Sequence, residues 1–383
     1  MKVGAVIAEY NPFHLGHEYH LDKTRMALDL DAVIVIMSGN FVQRGEPAVF
    51  DKWQRTRAAL RHGADLVIEL PTSSTLFHAG LFAHGAITLV EGTGCVDYLS
   101  FGCETEDLDA LQQLAEILSD EQAVYDGVAP YLANGIHYPR ARRLYMEERL
   151  GKRLPILEAS NAILALEYLR ELHQHHIPVV PFIVRRRGAA YNDESWREYY
   201  CSATAIRRRM QVNLPIDRSI PEGLNYAYQL RGRDFFHDMM YVLRFHSLHA
   251  DKASEETLRK RILNIYDKAC SCPDLIRRCN HKGINASTVS RYLMRCLLDI
   301  HYAEPQWIHV LGAKPGALSL LRNARLPVIV RHADAAQLEQ SALSEYERQV
   351  QLDNYYMKKQ SLIYDLPFRD VRSRHFISYD ENK

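Results

Sequence analysis

The strongest constraint on the fold is an alternation that begins at the first residues. Short runs at 3–8, 32–37, 66–70 and 98–101, apolar apart from Glu69 and Ser100, each have the length of a strand buried on both faces. The stretches between them read as helices. Asn11 and Pro12 break the first run, and a helical pattern follows over 16–28. Gly39 marks the turn after the second run, and Asp51 can cap a helix that continues to 61. Pro71 stops the third run, and a helix over 77–90 precedes the fourth. This rhythm predicts a parallel sheet with helices on both faces. It continues more loosely, with helices over 106–118, 141–150 and 161–173, a strand over 179–184 and a helix opening at 202–210. Past Pro215 the patterns at 223–246, 255–269 and 288–300 are mainly helical, and 309–330 suggests a small strand-helix-strand unit. The expected fold is an α/β, parallel-sheet, Rossmann-like N-terminal domain over 1–215. A mainly helical C-terminal domain over 216–383 follows, with the boundary at 215–221.

A chain of 383 residues is comfortable as two domains. Lys plus Arg and Asp plus Glu number 47 each, so no global field steers the protein to nucleic acid. Any RNA contact must come from local basic patches, and no DNA partner is expected. Seven cysteines, an odd count without an export signal, read as reduced thiols in a cytoplasmic protein. The clean apolar stretches, such as 32–37, fall far short of a membrane span, so no membrane association is expected.

The chemistry is concentrated where the first strand hands over to the first helix, in Glu9-Tyr10-Asn11-Pro12-Phe13-His14-Leu15-Gly16-His17. Ligands of open α/β sheets bind at the carboxyl ends of the strands. A helix N-terminus there offers unpaired N–H groups and a positive dipole to a phosphate. His14 and His17, three apart, share one face of that terminus, and Gly16 between them lets a nucleotide approach the backbone. Two imidazoles aimed at one phosphate stabilise the charge that builds up at phosphorus. A second element, Ser202-Ala203-Thr204-Ala205-Ile206-Arg207, also opens a helix. Its hydroxyls and amides suit a β- or γ-phosphate, and Arg207 can neutralise leaving pyrophosphate.

Beyond these elements, EYNPFHLGHEYHL, SGNFVQRGEPAVFDKWQRTRAAL, GADLVIELP, SFGCE, SNAILALEYL, RRRGAAY and SATAIRRRM occur in this order. The series resembles the bacterial tRNA(Met) cytidine acetate ligase family, part of the H-x-G-H nucleotidyltransferase superfamily. The resemblance is dense to about residue 210 and sparser afterwards, through KGINASTVSRYLMRCLL and VLGAKPGALSLLR. It implies a nucleotidyltransferase-like N-terminal domain and a two-step reaction. Acetate attacks the α-phosphate of ATP to give acetyl-adenylate and pyrophosphate. The wobble cytidine of elongator tRNA(Met) then takes the acetyl group, leaving N4-acetylcytidine and AMP. Mg²⁺ on the phosphates is expected. By the same resemblance His14 and His17 are catalytic. The ATP site takes in Ile7, Asn11, Pro12, Gly16, His20, Gly102, Asn161 and Arg186, together with Ser202, Thr204 and Arg207. Which of Arg185, Arg186 and Arg187 faces the phosphates stays open. The family usually carries a second polar residue after the asparagine; here Ala162 follows Asn161, which leaves one ligand contact open. Arg44 and Lys52, in the second motif, are candidates for the phosphate or RNA side of the cleft.

Local basic clusters beside tyrosines, and the motif KGINASTVSRYL, place tRNA binding on the helical C-terminal half, with Lys282 and Arg291 as its contacts. Cys270, Cys272, Cys279 and His281 offer a zinc reading, but Cys-x-Cys is tight for a structural zinc site, and no metal is favoured there. Two rival functions share the same strand-loop-helix site. One is an adenylyltransferase acting on another small acceptor; the other is a tRNA-binding protein that has lost catalysis.

Overall fold

The computed structural model describes every residue except 137, 155–156, 158, 187–200, 213, 217–218, 222–228, 247, 249, 251–252, 281–283, 374–375 and 380–383. The N-terminal alternation forms β1 (Val3–Ala8), α1 (Leu15–Leu28), β2 (Ala32–Ser38), a small hairpin of β3 (Phe41–Val42) and β4 (Glu46–Pro47), α2 (Lys52–Arg61) and β5 (Leu66–Leu70). Next come α3 (Thr72–Thr75), α4 (Ala79–Gly92), β6 (Tyr98–Cys103), α5 (Leu108–Ser119), α6 (Glu121–Ala133), α7 (Tyr138–Leu150), α8 (Ser160–Gln174) and β7 (Val180–Arg185). The rest contains α9 (Ala203–Gln211), α10 (Phe236–Phe245), α11 (Ala253–Leu263), α12 (Cys272–Cys279), α13 (Ala286–Leu298), β8 (Ile308–Ala313), β9 (Val328–Ile329), α14 (Gln340–Tyr364) and β10 (Ile377–Ser378). No helix among the described residues is long and apolar enough to cross a membrane.

The large sheet runs β10-β8-β5-β2-β1-β6-β7, with β9 beside β8. From β1 the chain builds outward through parallel β2 and β5, then crosses to the other side for parallel β6 and β7. The order of build-up reverses between β1 and β6, and the carboxyl ends of those strands open there into the crevice where such sheets bind ligands. The period of two along a strand explains why both faces are sealed. In β2, Ala32, Ile34 and Ile36 join one core and Val33, Val35 and Met37 the other. Asp51 caps α2 as its spacing predicts, accepting from Gln54 N at 2.8 Å.

The second half differs from the simple helical expectation. Helices α10 to α13 gather a core of their own around Met239, Leu243, Leu258, Ile262, Leu275 and Leu293. The chain then returns to the large sheet. The strand read within 309–330 is β8, which pairs antiparallel with β5 and parallel with β9. Only Phe236–Phe245 and a preceding turn of 3₁₀ helix, Gly232–Phe235, form helix among the described residues of 223–246. The 25-residue α14, absent from the sequence reading, lays Ala342, Tyr346, Val350 and Met357 against the core at helical spacing.

Candidate active site

The turn from β1 into α1 is built by histidines. His14 is the N-cap of α1, and its Nδ1 accepts from Gly16 N at 3.0 Å. His17, three residues on, returns the favour: its Nδ1 accepts from His14 N at 3.3 Å. The pair thus forms a capping box from two imidazoles. Their rings stack, with centroids 3.7 Å apart. This arrangement fixes the chemistry. With each Nδ1 used as an acceptor from a backbone amide, the neutral ring carries its proton on Nε2. Two Nε2–H donors are then available to a ligand at a helix N-terminus.

Burial first, and then the charges of Arg186 and Arg207, push the His14 imidazole down to about 3. His17 is held well below its usual range by burial, with its neighbours His14 and Arg186 adding to the effect. Burial and Arg186 bring His20 to about 4. The three rings are therefore neutral at neutral pH. They also make the free protein acid-labile. A folded-state pKa below the unfolded value near 6.5 gives stability that is full above about pH 6.5. That stability is lost as pH falls toward 4 and 3, because the unfolded chain binds the protons first. We expect His20→Gln to flatten the fall of unfolding free energy between pH 6 and 4 by about 1.4 kcal/mol per pH unit, one proton's worth. Urea unfolding at a series of pH values measures this, and an unchanged slope would show that His20 does not contribute.

Most of the sequence-predicted ligands line one cleft of about 1310 Å³, open solvent at its mouth included. Ile7 and Asn11 come from the end of β1 and its loop, Gly102 from β6, Asn161 from the first turn of α8, and Thr204 and Arg207 from α9. His14, Gly16, His17, His20 and Arg186 complete this set. Asn11 Oδ1 accepts from Val49 N at 2.8 Å, while its buried Nδ2 has no partner. His20 Nε2 lies 2.9 Å from Ser100 Oγ, which in turn lies 2.6 Å from Thr24 Oγ1. Arg207 Nη1 donates to Asn11 O at 2.6 Å, joining α9 to the β1 loop. A Cβ at Gly102 would meet nothing closer than the Arg186 side chain at 3.5 Å, so the space above it is open to a ligand.

Gly16 has a further role beyond admitting a nucleotide. A Cβ there would stand 2.9 Å from His14 Cε1 and 3.0 Å from its Nδ1. Gly16→Ala is therefore expected to displace the His14 ring, and a displacement of about 1 Å costs on the order of 100-fold in turnover. Steady-state kinetics, with circular dichroism to confirm folding, would test this; an unchanged kcat would refute it.

Other predicted residues stand elsewhere. Pro12, in a cis peptide with Asn11, shapes the loop without lining the cleft. Ser202 is buried and caps α9, its Oγ accepting from Ala205 N at 3.0 Å; its neighbours Cys201, Ala203 and Thr204 reach the cleft instead. Asn161 is not an N-cap. Ala159 holds that position, and Glu104 serves the helix start, accepting from Asn161 Nδ2 at 2.6 Å and from Ala162 N at 3.2 Å. Arg185 and Arg186 both line the cleft. Arg185 is two-thirds exposed and sits 3.6 Å from Glu106, whereas the charge of Arg186 reaches all three histidines. Arg187 and the turn at 188–191 lie outside the described residues.

Lys52 does not line the cleft. It is fully buried, and its Nζ donates to both oxygens of Glu69 at 2.7 Å and to Asp353 Oδ2 at 2.5 Å. Arg55 is likewise buried, donating to the carbonyls of Glu9, Ser38, Gly39 and Phe50. Arg44 does line the cleft, with Gln43 and Glu9. Glu9 Oε1 accepts from Gln43 N at 2.6 Å, and burial raises its carboxyl. Neither Glu9 nor Glu104 carries a local signal of its role, although Glu104 closes the SFGCE motif. Lys282 and His281 lie outside the described residues. Arg291 packs inward, its Nη1 3.4 Å from Gln43 O, and Ser290 Oγ donates to Gly45 O at 2.7 Å. Helix α13 thus buttresses the hairpin turn that lines the cleft. Cys272 and Cys279 are buried at the two ends of α12, where burial pushes both thiols up to about 11.

Comparison with known proteins gives the family and the fold. The HIGH Nucleotidyl Transferase family model matches residues 1–365. A tRNA(Met) cytidine acetate ligase of Clostridium perfringens is 34% identical, over 85% of this chain and 87% of that protein. One from Halothermothrix orenii is 32% identical over 98% of both. The apo crystal structure of Thermotoga maritima TmcAL is 28% identical, covers 99% of this chain and 100% of its own, and superposes with a TM-score of 0.90. A second form of that protein, bound with alpha-thio ATP, gives a TM-score of 0.87 at 28% identity, covering 99% of each chain. The chain belongs to the tRNA(Met) cytidine acetate ligase family of HIGH nucleotidyl transferases.

Proposed function

We propose that this protein activates acetate as acetyl-adenylate and passes the acetyl group to the wobble cytidine of elongator tRNA(Met), giving N4-acetylcytidine and AMP. The observation that carries the reading is the pair of stacked, neutral imidazoles at the start of α1, each with its Nε2–H free of the capping bonds. Acetate is a poor acyl donor until its oxygen is joined to a good leaving group. Its carboxylate attacks the α-phosphorus of ATP, and pyrophosphate leaves on the opposite side. The two Nε2–H groups donate to the α-phosphate oxygens as charge grows there. Arg186, Arg207, Thr204 and the α9 N-terminus hold the departing phosphates. No side chain becomes covalent. The cytidine N4 amine then attacks the acetyl carbonyl, and AMP leaves.

Mg²⁺ enters as part of the MgATP substrate. Glu9 is the one acidic side chain lining the cleft among the described residues, and one of its oxygens already accepts from Gln43 N. The polar groups of the cleft are thus mainly donors and cations, which suits a metal held by the phosphates themselves. The hairpin turn at Gln43 and Arg44, backed by α13, is the route by which tRNA bound to the C-terminal half meets the adenylate. Arg291 supports that turn, and Lys282 is proposed to contact the RNA.

The deciding experiment measures pyrophosphate and AMP release with ATP, Mg²⁺ and acetate, with and without tRNA(Met), and N4-acetylcytidine by mass spectrometry. Acetate-dependent pyrophosphate exchange without tRNA, and acetyl transfer with it, is the expected result. Turnover that ignores acetate and uses another acceptor would leave only an adenylyltransferase. ATP-independent tRNA binding without turnover would leave only a binding protein.

A further inference from the structure

At the far end of α8 from the nucleotide cleft, side chains with metal-ligand chemistry converge. Helix α8 begins at the cleft with Asn161, and His175 follows its last turn about 21 Å away along the axis. There Glu171 Oε2 lies 2.7 Å from His84 Nδ1, on α4, and 3.4 Å from His175 Nε2. The three ligand atoms fall within 4.8 Å of one another. Tetrahedral ligands at zinc distances stand about 3.3 Å apart. The Glu171–His175 separation already matches that spacing. The Glu171–His84 pair opens by about 0.6 Å and the two imidazoles close by up to about 1.5 Å to meet it. His84 is about one-quarter exposed and His175 half-exposed, so both rings have room to turn.

Neighbouring side chains hold these groups in place. Arg170 Nη2 donates to Glu171 Oε1 at 2.8 Å, which fixes the carboxylate and leaves Oε2 to the two rings. The remaining nitrogen of His84, Nε2, faces Glu304 Oε1 at 3.6 Å, and Thr88 Oγ1 donates to that same oxygen at 3.2 Å. A carboxylate behind the outer nitrogen of a metal-bound histidine is the usual orienting partner. Two imidazoles and one carboxylate suit a borderline cation such as Zn²⁺ better than Mg²⁺ or Ca²⁺, which take oxygen ligands.

We propose that His84, Glu171 and His175 bind one divalent transition ion of the zinc class, with water in the fourth position, and that the ion clasps α4 to the end of α8. The site is separate from the nucleotide cleft and independent of the reaction assigned to it.

The test uses the full chain, stripped with EDTA, and reads metal binding rather than turnover. Zn²⁺ is titrated in competition with a chromophoric chelator, and Co²⁺ is followed by absorption. The expected result is one tight equivalent, with the visible bands of tetrahedral Co²⁺ and no near-ultraviolet thiolate band. His84→Ala and His175→Ala should each weaken binding tenfold or more, a loss at least as large as that from removing an orienting partner. Replacing the neighbouring His173 and His176 by alanine should leave affinity unchanged. Zn²⁺ should raise the Tm of the parent protein and not that of His84→Ala. No saturable equivalent, a thiolate band that assigns the metal to cysteine, or unchanged affinity in both His84→Ala and His175→Ala would overturn the proposal and leave the three residues as an ion-pair cluster.

Discussion

His17→Ala is expected to lower kcat for acetate-dependent pyrophosphate release by about 100- to 1000-fold, the loss seen when one transition-state donor is removed from a preorganised site. The reason is geometric. The His17 ring sits on the His14 ring at 3.7 Å, and its Nδ1 is occupied by His14 N, so its other nitrogen is the donor. Alanine removes both bonds. His17→Gln is a sharper probe, because its amide nitrogen can reach roughly where Nε2 lies but cannot stack. It should retain more activity than alanine, and KM for ATP should change less than kcat in both variants. Equal losses in kcat for alanine and glutamine, or a change confined to KM, would indicate that His17 binds or supports the loop without stabilising the transition state.

The second large effect concerns stability. Lys52 stands between Glu69 and Asp353 with all three side chains buried. Around them Asn40 Nδ2 donates to Asp353 Oδ1 at 2.8 Å, Gln349 Oε1 accepts from Thr72 N at 2.9 Å, and His309 Nδ1 lies 2.6 Å from Glu69 Oε2. The lysine therefore ties α2 to β5 and α14, and Glu69 carries the network on to β8 through His309. Burial raises the Asp353 carboxyl in spite of the ammonium beside it, while burial keeps Glu69 up less than Lys52 and His309 draw it down. Lys52→Met leaves two carboxyl groups without their cation and should destabilise the fold by about 3–5 kcal/mol. Combining it with Glu69→Gln and Asp353→Asn removes the uncompensated charge and should restore a large part of that loss. Urea denaturation of the single and triple variants measures both quantities. A triple variant no better than the single one would show that packing, and not charge, sets the cost.

These two residues also show where sequence reading succeeds. The His14 and His17 pair was legible because its role is local: strand end, glycine and helix start are contiguous. The parallel half of the sheet is legible for the same reason, since β1, β2, β5 and β6 are mainly apolar runs of strand length, with Glu69 and Ser100 the polar exceptions inside β5 and β6. Lys52 was not. Its partners lie at Glu69 and Asp353, and a lysine at the start of a helix looks solvated until they are brought to it. Helix α14 was lost because Gln349, Asp353 and Gln360 occupy its buried stripe and blur the apolar spacing that would announce it. Strand β8 was found, but its antiparallel pairing with β5 left no local trace. The sequence offers both Ser202 and Thr204 to a phosphate. Capping needs one hydroxyl at the helix boundary, and the geometry gives that position to Ser202.

The pairing of β5 with β8 has a consequence for how the protein is made. Leu66 waits for Ala313, and Ile68 for Val310. While the chain emerges from the ribosome, the first half can align its parallel strands, yet β5 (Leu66–Leu70) presents an open edge, apolar apart from Glu69, until most of the polypeptide has been synthesised. Such an edge invites pairing with other nascent chains. Messages truncated between the two strands should thus yield aggregating fragments, and the full-length product should depend on chaperones that shield the edge during that interval.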